Sequence, residues 1–487
     1  MKMGKEIKQL RVAAGILSNY GYGMAIIAWM LADFVPRFFQ GDSIAYLMTG
    51  EGFIPPDRSW AFGFASNFIL RHTHGYSAFM LMQIGILACL IAATRVFFSD
   101  FGRSRIIYGV IGILLALDPL LEIYTRFIMS DLPAVAAFFV ALLALFLLVR
   151  DCDRTRGLWL FASLAVASTL AAVFLRVAYA LIIELAVLLV GIIMSGRLAR
   201  PQWFALAIAA LGPFMAVGSL AVANRIVFAD RFQHELFVNK SSGVFLAGVF
   251  APALQKSDFE KVGIPITTAE FLRLDLTNYE KRSAQVWGPW PDNLHQFIKD
   301  KLSIKNDYTT LVDQTASDLV WSTLRRNPIA LAKVYVWSAF QYAEPSEWHS
   351  KVYDEMGLSW DLPADFVAFS NRYSILKIEP EITKIRSPLV RLYEAVSYFY
   401  PLQLLLGLAA AAYLMMQERN RPSVAVLTAG LLADLASAPL YSSYVIARYI
   451  LGAIIISYLL IGLAIQSIMT RRGVFKLNFH LCKTISR

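Results

Sequence analysis

The chain has 487 residues, is 57% hydrophobic and only 16% charged, and carries a net charge of +10 with a mean hydropathy of +0.54. Soluble domains are about 45–50% apolar and about 25% charged, so the composition excludes a water-soluble globular protein and predicts an all-α polytopic membrane protein. Nor does the positive balance point to nucleic acid, because the basic residues fall in short segments between apolar runs and no polar segment joins a basic patch to interleaved aromatics.

In chain order, apolar runs predict spans near 14–35, 76–98, 105–122, 132–149, 158–175, 177–195, 203–227, 396–416, 423–440 and 445–469. That is about ten, each near the length a bilayer requires. The first run is too long for a signal-peptide core and lacks a small-x-small cleavage site, so it reads as a retained span. The stretch 158–195 is too long for one helix. Arg176 interrupts it, which predicts a tight hairpin there.

Ten crossings gather the basic clusters on one, cytosolic side. These are Lys2, Lys5, Lys8 and Arg11; Arg103 and Arg105; Arg150, Arg154 and Arg156; Arg197 and Arg200; Arg419 and Arg421; and Arg471, Arg472, Lys476, Lys483 and Arg487 of the tail. Segment 329–343 is apolar but short, and follows Arg325-Arg326-Asn327-Pro328. A crossing there would turn the basic tail outward, so an interfacial or re-entrant helix is expected. The outer side then receives the loop 36–75, the turn 123–131, the Arg176 turn and a large region 228–395.

Four units result. They are an N-terminal membrane module (1–227), a mostly helical extracytoplasmic insertion (228–395) that includes Trp287-Gly288-Pro289-Trp290-Pro291, C-terminal membrane helices (396–470) and a basic tail (471–487). Cys89, Cys152 and Cys482 form neither a disulfide framework nor a metal spacing.

The candidate chemistry lies in the outer segments. In Gly41-Asp42-Ser43-Ile44-Ala45-Tyr46-Leu47, a short surface helix over 43–50 would put Asp42, Tyr46 and Thr49 on one face. Asp42 reads either as an N-cap or as a functional carboxylate. Glu122 and Arg126 stand four apart and suit an ion pair, and Asp131 precedes a proline-started helix in Ser130-Asp131-Leu132-Pro133. These acids read as caps and a surface pair, or as partners of Asp42 around one cavity. In that cavity Asp131 and Glu122 offer oxygen ligands to a divalent cation such as Mg2+ or Mn2+, or the carboxylates divide the roles of base and cation ligand, which makes Asp131 a candidate catalytic residue beside Asp42.

Tyr441, Tyr444 and Arg448 fall at i, i+3 and i+7, a stripe at the start of the last span. Arg448 there reads as a phosphate fork or a snorkelling side chain. Arg176 is a similar outer arginine, and about two turns separate it from Glu184, which suggests a structural pair. Arg58 in Pro55-Pro56-Asp57-Arg58 is a candidate for phosphate or headgroup contact. His72 and His74 form a lone H-x-H, suited to a surface or substrate contact more than to a metal. Asp118, Glu184 and Asp434 lie inside spans, where ionisable groups are costly and usually paired. The sequence has no P-loop, dinucleotide fingerprint or G-x-S-x-G elbow, so no nucleotide cofactor is expected.

The D-x-x-x-Y of Asp42 and Tyr46, the turn ending in Ser130-Asp131-Leu132-Pro133, and the cytosolic N-terminus together resemble the GT-C glycosyltransferases. The nearest group is the bacterial relatives of the dolichyl-phosphate-mannose–protein mannosyltransferases. Arg326-Asn327-Pro328 before an apolar helix, and Ala447-Arg448-Tyr449-Ile450-Leu451, are similar to later features of that family. Its frequent pair of adjacent acids is absent, since Ser43 follows Asp42.

The resemblance implies a transferase in the bacterial cytoplasmic membrane with its site on the periplasmic face. A sugar would pass from a polyprenyl phosphate to a glycan, lipid or protein acceptor, with inversion. Asp42 would be the base, and Arg448, Arg176 or Arg126 would meet the phosphate, with or without a cation at Asp131 and Glu122. Two alternatives stand beside it: a lipid-linked polysaccharide polymerase or ligase, and a secondary transporter or flippase resting on the acids within the spans.

Overall fold

The computed structural model describes residues 20–471 apart from 40, 52–53, 102–104, 151–154, 283, 288–292, 305–308, 376, 419–420 and 443. Outside the described residues lie the N-terminal basic cluster, Arg103, Arg154, Arg419, Cys152, Cys482, the tail beyond Arg471 and all of the Trp-Gly-Pro-Trp-Pro motif except Trp287. The described chain is helical, with one isolated parallel bridge between Arg37 and Phe127.

Seven helices are long and apolar enough to cross a membrane: Ser77–Phe101, Asp131–Arg150, Gly157–Leu175, Arg200–Val227, Pro388–Glu418, Pro422–Tyr441 and Leu451–Arg471. A bent pair, Ile106–Leu117 and Pro119–Arg126, makes an eighth if it forms one span, and Tyr20–Ala32 and Tyr179–Met194 are shorter apolar helices. The protein is thus an all-α, multi-pass membrane protein. Each predicted run meets one of these elements.

The pair Ile106–Leu117 and Pro119–Arg126 replaces the single helix expected over 105–122, with a 51° bend between them. Asp118 causes the break together with Pro119, which cannot supply an amide hydrogen. The Asp118 carboxylate caps the second helix, accepting the Leu120 and Leu121 N–H groups at 2.9 and 3.2 Å. The Tyr400 and Tyr458 hydroxyls donate to its two oxygens at 3.0 and 2.9 Å.

The helices Asp131–Arg150, Pro422–Tyr441 and Leu451–Arg471 are the most enclosed of the long ones. Small residues allow this. A side chain at Gly452 would stand 2.6 Å from the Asp434 carboxylate, and close approach at small residues is how membrane helices pack without a hydrophobic drive between them. The helix Arg200–Val227 keeps Phe204, Phe214 and Ile226 exposed, an outer face suited to lipid.

The insertion has two parts. One builds its own apolar core from Phe250, Phe259, Phe297, Val312, Leu319 and Val334. It contains the helix Pro328–Gln341, the expected short apolar element, whose 14 residues reach roughly 21 Å, short of a hydrocarbon core of about 30 Å. This helix docks on a long one, with the Tyr335 hydroxyl donating to the Ala436 carbonyl at 2.7 Å.

The other part sets Leu362, Phe366 and Phe369 against Phe38, Tyr46, Phe62 and Tyr76 of the first loop. The expected boundary at 395/396 falls inside an apolar run that begins at Pro388, passes a 3-10 turn at Ser397–Phe399 and continues as Tyr400–Glu418.

Candidate functional site

The first loop delivers Asp42. Gly41 turns the chain at φ +78°, a left-handed value that glycine adopts without a Cβ clash, and the helix Asp42–Leu47 starts at once. The Ser43 hydroxyl accepts the Phe39 N–H at 2.9 Å, bracing this entry. Asp42 caps nothing, because it is already the first helical residue and Gly41 holds the cap position. Both of its oxygens go elsewhere. Arg58 donates to Oδ1 at 2.6 Å and Arg448 to Oδ2 at 2.5 Å.

Arg58 stands on a pinned loop. It also forks onto Asp57, at 3.2 and 2.7 Å. The Asn239 amide donates to the Asp57 carbonyl at 2.8 Å, and Trp60 Nε1 donates to the Asn224 side chain at 2.8 Å. The segment after the helix Arg200–Val227 therefore fixes where Arg58 sits.

Arg448 is not on a helical stripe with Tyr441 and Tyr444. The helix Pro422–Tyr441 ends at Tyr441, Ser442 is extended, Arg448 occupies a 3-10 turn (Ala447–Tyr449), and the last helix starts only at Leu451. The i, i+3, i+7 register thus never forms. Tyr444 instead lies beside Lys351, 5.2 Å from its ring centroid, and does not line the cavity described below.

The turn that carries Arg448 is held by Glu355, a buried acid at the end of Pro345–Glu355. Glu355 accepts the Ala447 N–H on Oε1 and the Tyr393 hydroxyl, at 3.0 Å, on Oε2. Sequence reasoning missed it, since a lone acid in a polar segment has no motif around it.

Arg176 lies in the expected break between helices, after Leu175 and before Tyr179. Its ion pair is with Asp131, 1% exposed, and not with Glu184. Glu184 has no ion-pair partner among the described residues. The Arg176 guanidinium stacks over Tyr449 at 4.7 Å, and Arg448 lies 5.2 Å from the same ring. Tyr46 reaches back toward Asp131's turn, its hydroxyl 3.0 Å from that of Ser130.

Asp42, Tyr46, Arg58, Arg176 and Arg448 line one cavity of about 370 Å3, within the range of small-ligand sites. Asp57, Ser59, Asn224, Asn239, Tyr441 and Tyr449 are among its other polar lining residues. Val173, Phe174, Leu220, Phe245, Leu246 and Leu440 are among its apolar ones. Burial raises the Asp42 pKa, but Arg58, Arg448 and Arg176 outweigh it and hold the carboxyl below its usual range. Arg58 is raised in turn: burial opposes its charge, and Asp42 and Asp57 more than compensate. Arg448 is 91% buried, since 9% of its side chain is exposed. Its Nε is a buried donor with no hydrogen-bond partner among the described residues.

The remaining candidates lie elsewhere. Glu122 and Arg126 do pair, at 2.5 Å, but at 0% and 1% exposure they are interior. Arg126 also donates to the Asp33 carbonyl at 3.1 Å, tying the end of the helix Tyr20–Ala32 to the 123–131 turn. His72 stacks on Phe68 and His74 ends the helix Trp60–Thr73 in a left-handed turn. About 18 Å of helix axis separates His72 from Trp60 beside Arg58. Within the spans, Asp118 caps the helix break, and Asp434 accepts the Ala453 N–H at 2.6 Å in the first turn of the last helix.

The fit to a divalent cation is poor. Glu122 and Asp131 each face an arginine, and among the described residues no group of three or more His, Cys, Asp or Glu is placed to hold a metal ion. The chain matches no family model, no curated protein and no solved structure.

Proposed function

We propose that the protein is an integral-membrane glycosyltransferase of GT-C type. It moves a sugar from a polyprenyl-phosphate donor to an acceptor hydroxyl on the extracytoplasmic face, with inversion. The reading takes the eight span candidates with Tyr20–Ala32 and Tyr179–Met194 as ten crossings, with the basic segments cytosolic.

The observation that carries this reading is that charged and apolar side chains line the same cavity. Two arginines converge on one carboxylate there, beside walls suited to a prenyl chain. A phosphate joined to an apolar tail suits such a lining. Asp42 takes the proton of the attacking hydroxyl. Arg448 and Arg58 stabilise the charge that grows on the departing phosphate, a term that preorganised donors in a dry site make large. Arg176, paired with Asp131, lines the same cavity. The chain's own guanidinium groups thus supply the positive charge.

The test is release of polyprenyl phosphate from a panel of polyprenyl-phosphate hexoses and pentoses by the reconstituted protein, with cell-envelope acceptors supplied. Turnover that needs Asp42 supports the assignment. Solute uptake by sealed vesicles without product formation would replace it with a transporter.

A further inference from the structure

Between Arg58 and Arg448 the cavity already contains an anion, and that anion is the proposed base. Asp42 gives one oxygen to Arg58 at 2.6 Å and the other to Arg448 at 2.5 Å. These are the two cations that the proposed reaction needs at the phosphate. Arg448 still holds its buried Nε donor without a hydrogen-bond partner among the described residues. A guanidinium has five donors in a fixed fork and suits a bidentate oxyanion, so Arg448 has donor capacity beyond the single bond to Asp42.

We propose that in the donor-free protein Asp42 sits in the seat of the donor phosphate. The donor then binds by drawing Arg448, with Arg58, away from the carboxylate, which frees the base only once the phosphate is in place. The exchange presupposes the donor reading above. It makes binding ordered, donor before acceptor, because an acceptor hydroxyl arriving first meets a carboxylate with both oxygens engaged.

The charges of the donor-free site cancel, so the donor's single negative charge is an excess that makes the released Asp42 carboxylate more basic. Asp42 and Asp57 offset Arg58 and Arg448, and Asp131 offsets Arg176. In the transfer step the acceptor O–H proton passes to Asp42, and the acceptor oxygen bonds to the anomeric carbon. The bond from that carbon to the phosphate oxygen breaks, and its electron pair stays on the phosphate. The phosphodiester monoanion becomes a phosphomonoester dianion as the carboxylate becomes neutral. One negative charge leaves Asp42 while one arrives on the phosphate, where the arginines already stand, so no counter-ion enters.

The experiment measures binding of farnesyl phosphate to the full-length protein in detergent, for wild type, Asp42→Asn and Asp42→Ser. Farnesol and inorganic phosphate are the controls, and thermal melting shows which variants are folded. Removing the internal anion is expected to tighten farnesyl phosphate binding about tenfold, roughly 1.4 kcal/mol, with farnesol unchanged and inorganic phosphate weaker throughout. Wild-type binding that is not tightened in either folded variant overturns the exchange and leaves the donor site standing. Farnesyl phosphate bound by neither wild type nor variants overturns the donor reading and the exchange with it. Inorganic phosphate bound as tightly as farnesyl phosphate assigns the seat to a free anion and overturns the lipid donor.

Discussion

Arg448 donates to Asp42 at 2.5 Å although 406 residues of chain separate them. A buried or half-buried pair of this kind gains more from Coulomb attraction than an exposed one, but only with matched geometry. Both partners are supported from outside the pair. Gly41 and Ser43 fix the entry of the Asp42 helix, and Glu355 holds the turn of Arg448.

Asp42→Asn keeps the size of the side chain and removes the proposed base. Transfer by this variant is expected to fall about 10²–10⁴-fold, the usual weight of a positioned general base, at unchanged expression. Release of polyprenyl phosphate is the measurement, and full turnover would remove Asp42 from the mechanism.

Arg448→Lys retains charge but loses the planar fork, so it is not a conservative change here. We expect kcat to drop about 10²–10³-fold, as for loss of one preorganised donor at a developing oxyanion. Rates close to wild type would show that a point charge suffices.

Arg176→Gln leaves Asp131 buried and unpaired. The expected loss is about 3–5 kcal/mol of stability, seen as a lower melting temperature in detergent. The double variant Arg176→Gln/Asp131→Asn should recover most of it. Equal melting of single and double variants would mean that the pair contributes nothing to the fold.

Glu355 acts through Arg448 as a positioning residue. Glu355→Gln keeps one acceptor for the Ala447 N–H and should retain more activity than Glu355→Ala. The alanine variant should lower kcat with KM little changed. A matched fall in melting temperature and activity, alike in both variants, would reduce Glu355 to a structural acid.

The pH dependence has a definite sign. Burial favours the neutral form of Asp42, but Arg58, Arg448 and Arg176 outweigh it and depress its pKa in the free protein. The stability that the ion pairs lend is therefore present above the ordinary carboxylate pKa, about 3.9, and is lost as pH falls through the depressed value. The acid limb of kcat/KM, which reports the free enzyme, should lie below that ordinary value. The proposed exchange would share the arginines with the donor phosphate, so it predicts that the acid limb of kcat lies at higher pH. Coincident limbs would argue against the sharing.

Much of the architecture was legible because apolar runs of membrane length announce themselves. The turn at Arg176 and the short helix after Pro328 were legible too, from a charge in one run and a length too small in the other. Side-chain partners were not, because sequence spacing suggests neighbours only along one helix. Arg176 was matched to Glu184 on its own segment but reaches Asp131 on another. Arg448 was set in a helical stripe, yet the chain is extended after Tyr441. Glu122 and Arg126 pair as their spacing suggests, but burial, invisible in spacing, takes them out of the cavity. Glu355 had no signal because its role depends on a backbone amide 92 residues away.

The distribution of the site along the chain also bears on how the protein is made. Asp42 and Arg58 leave the ribosome early, Arg176 follows with its hairpin, and the Glu355 that holds the last turn comes long before Arg448 itself. A nascent chain halted before its final two helices can already hold the Asp42–Arg58 and Arg176–Asp131 pairs. It still lacks its second clamp on the carboxylate and the 447–449 turn. On the proposed function such a truncated product would be inserted and inert, with competence arriving in a single late step of biogenesis.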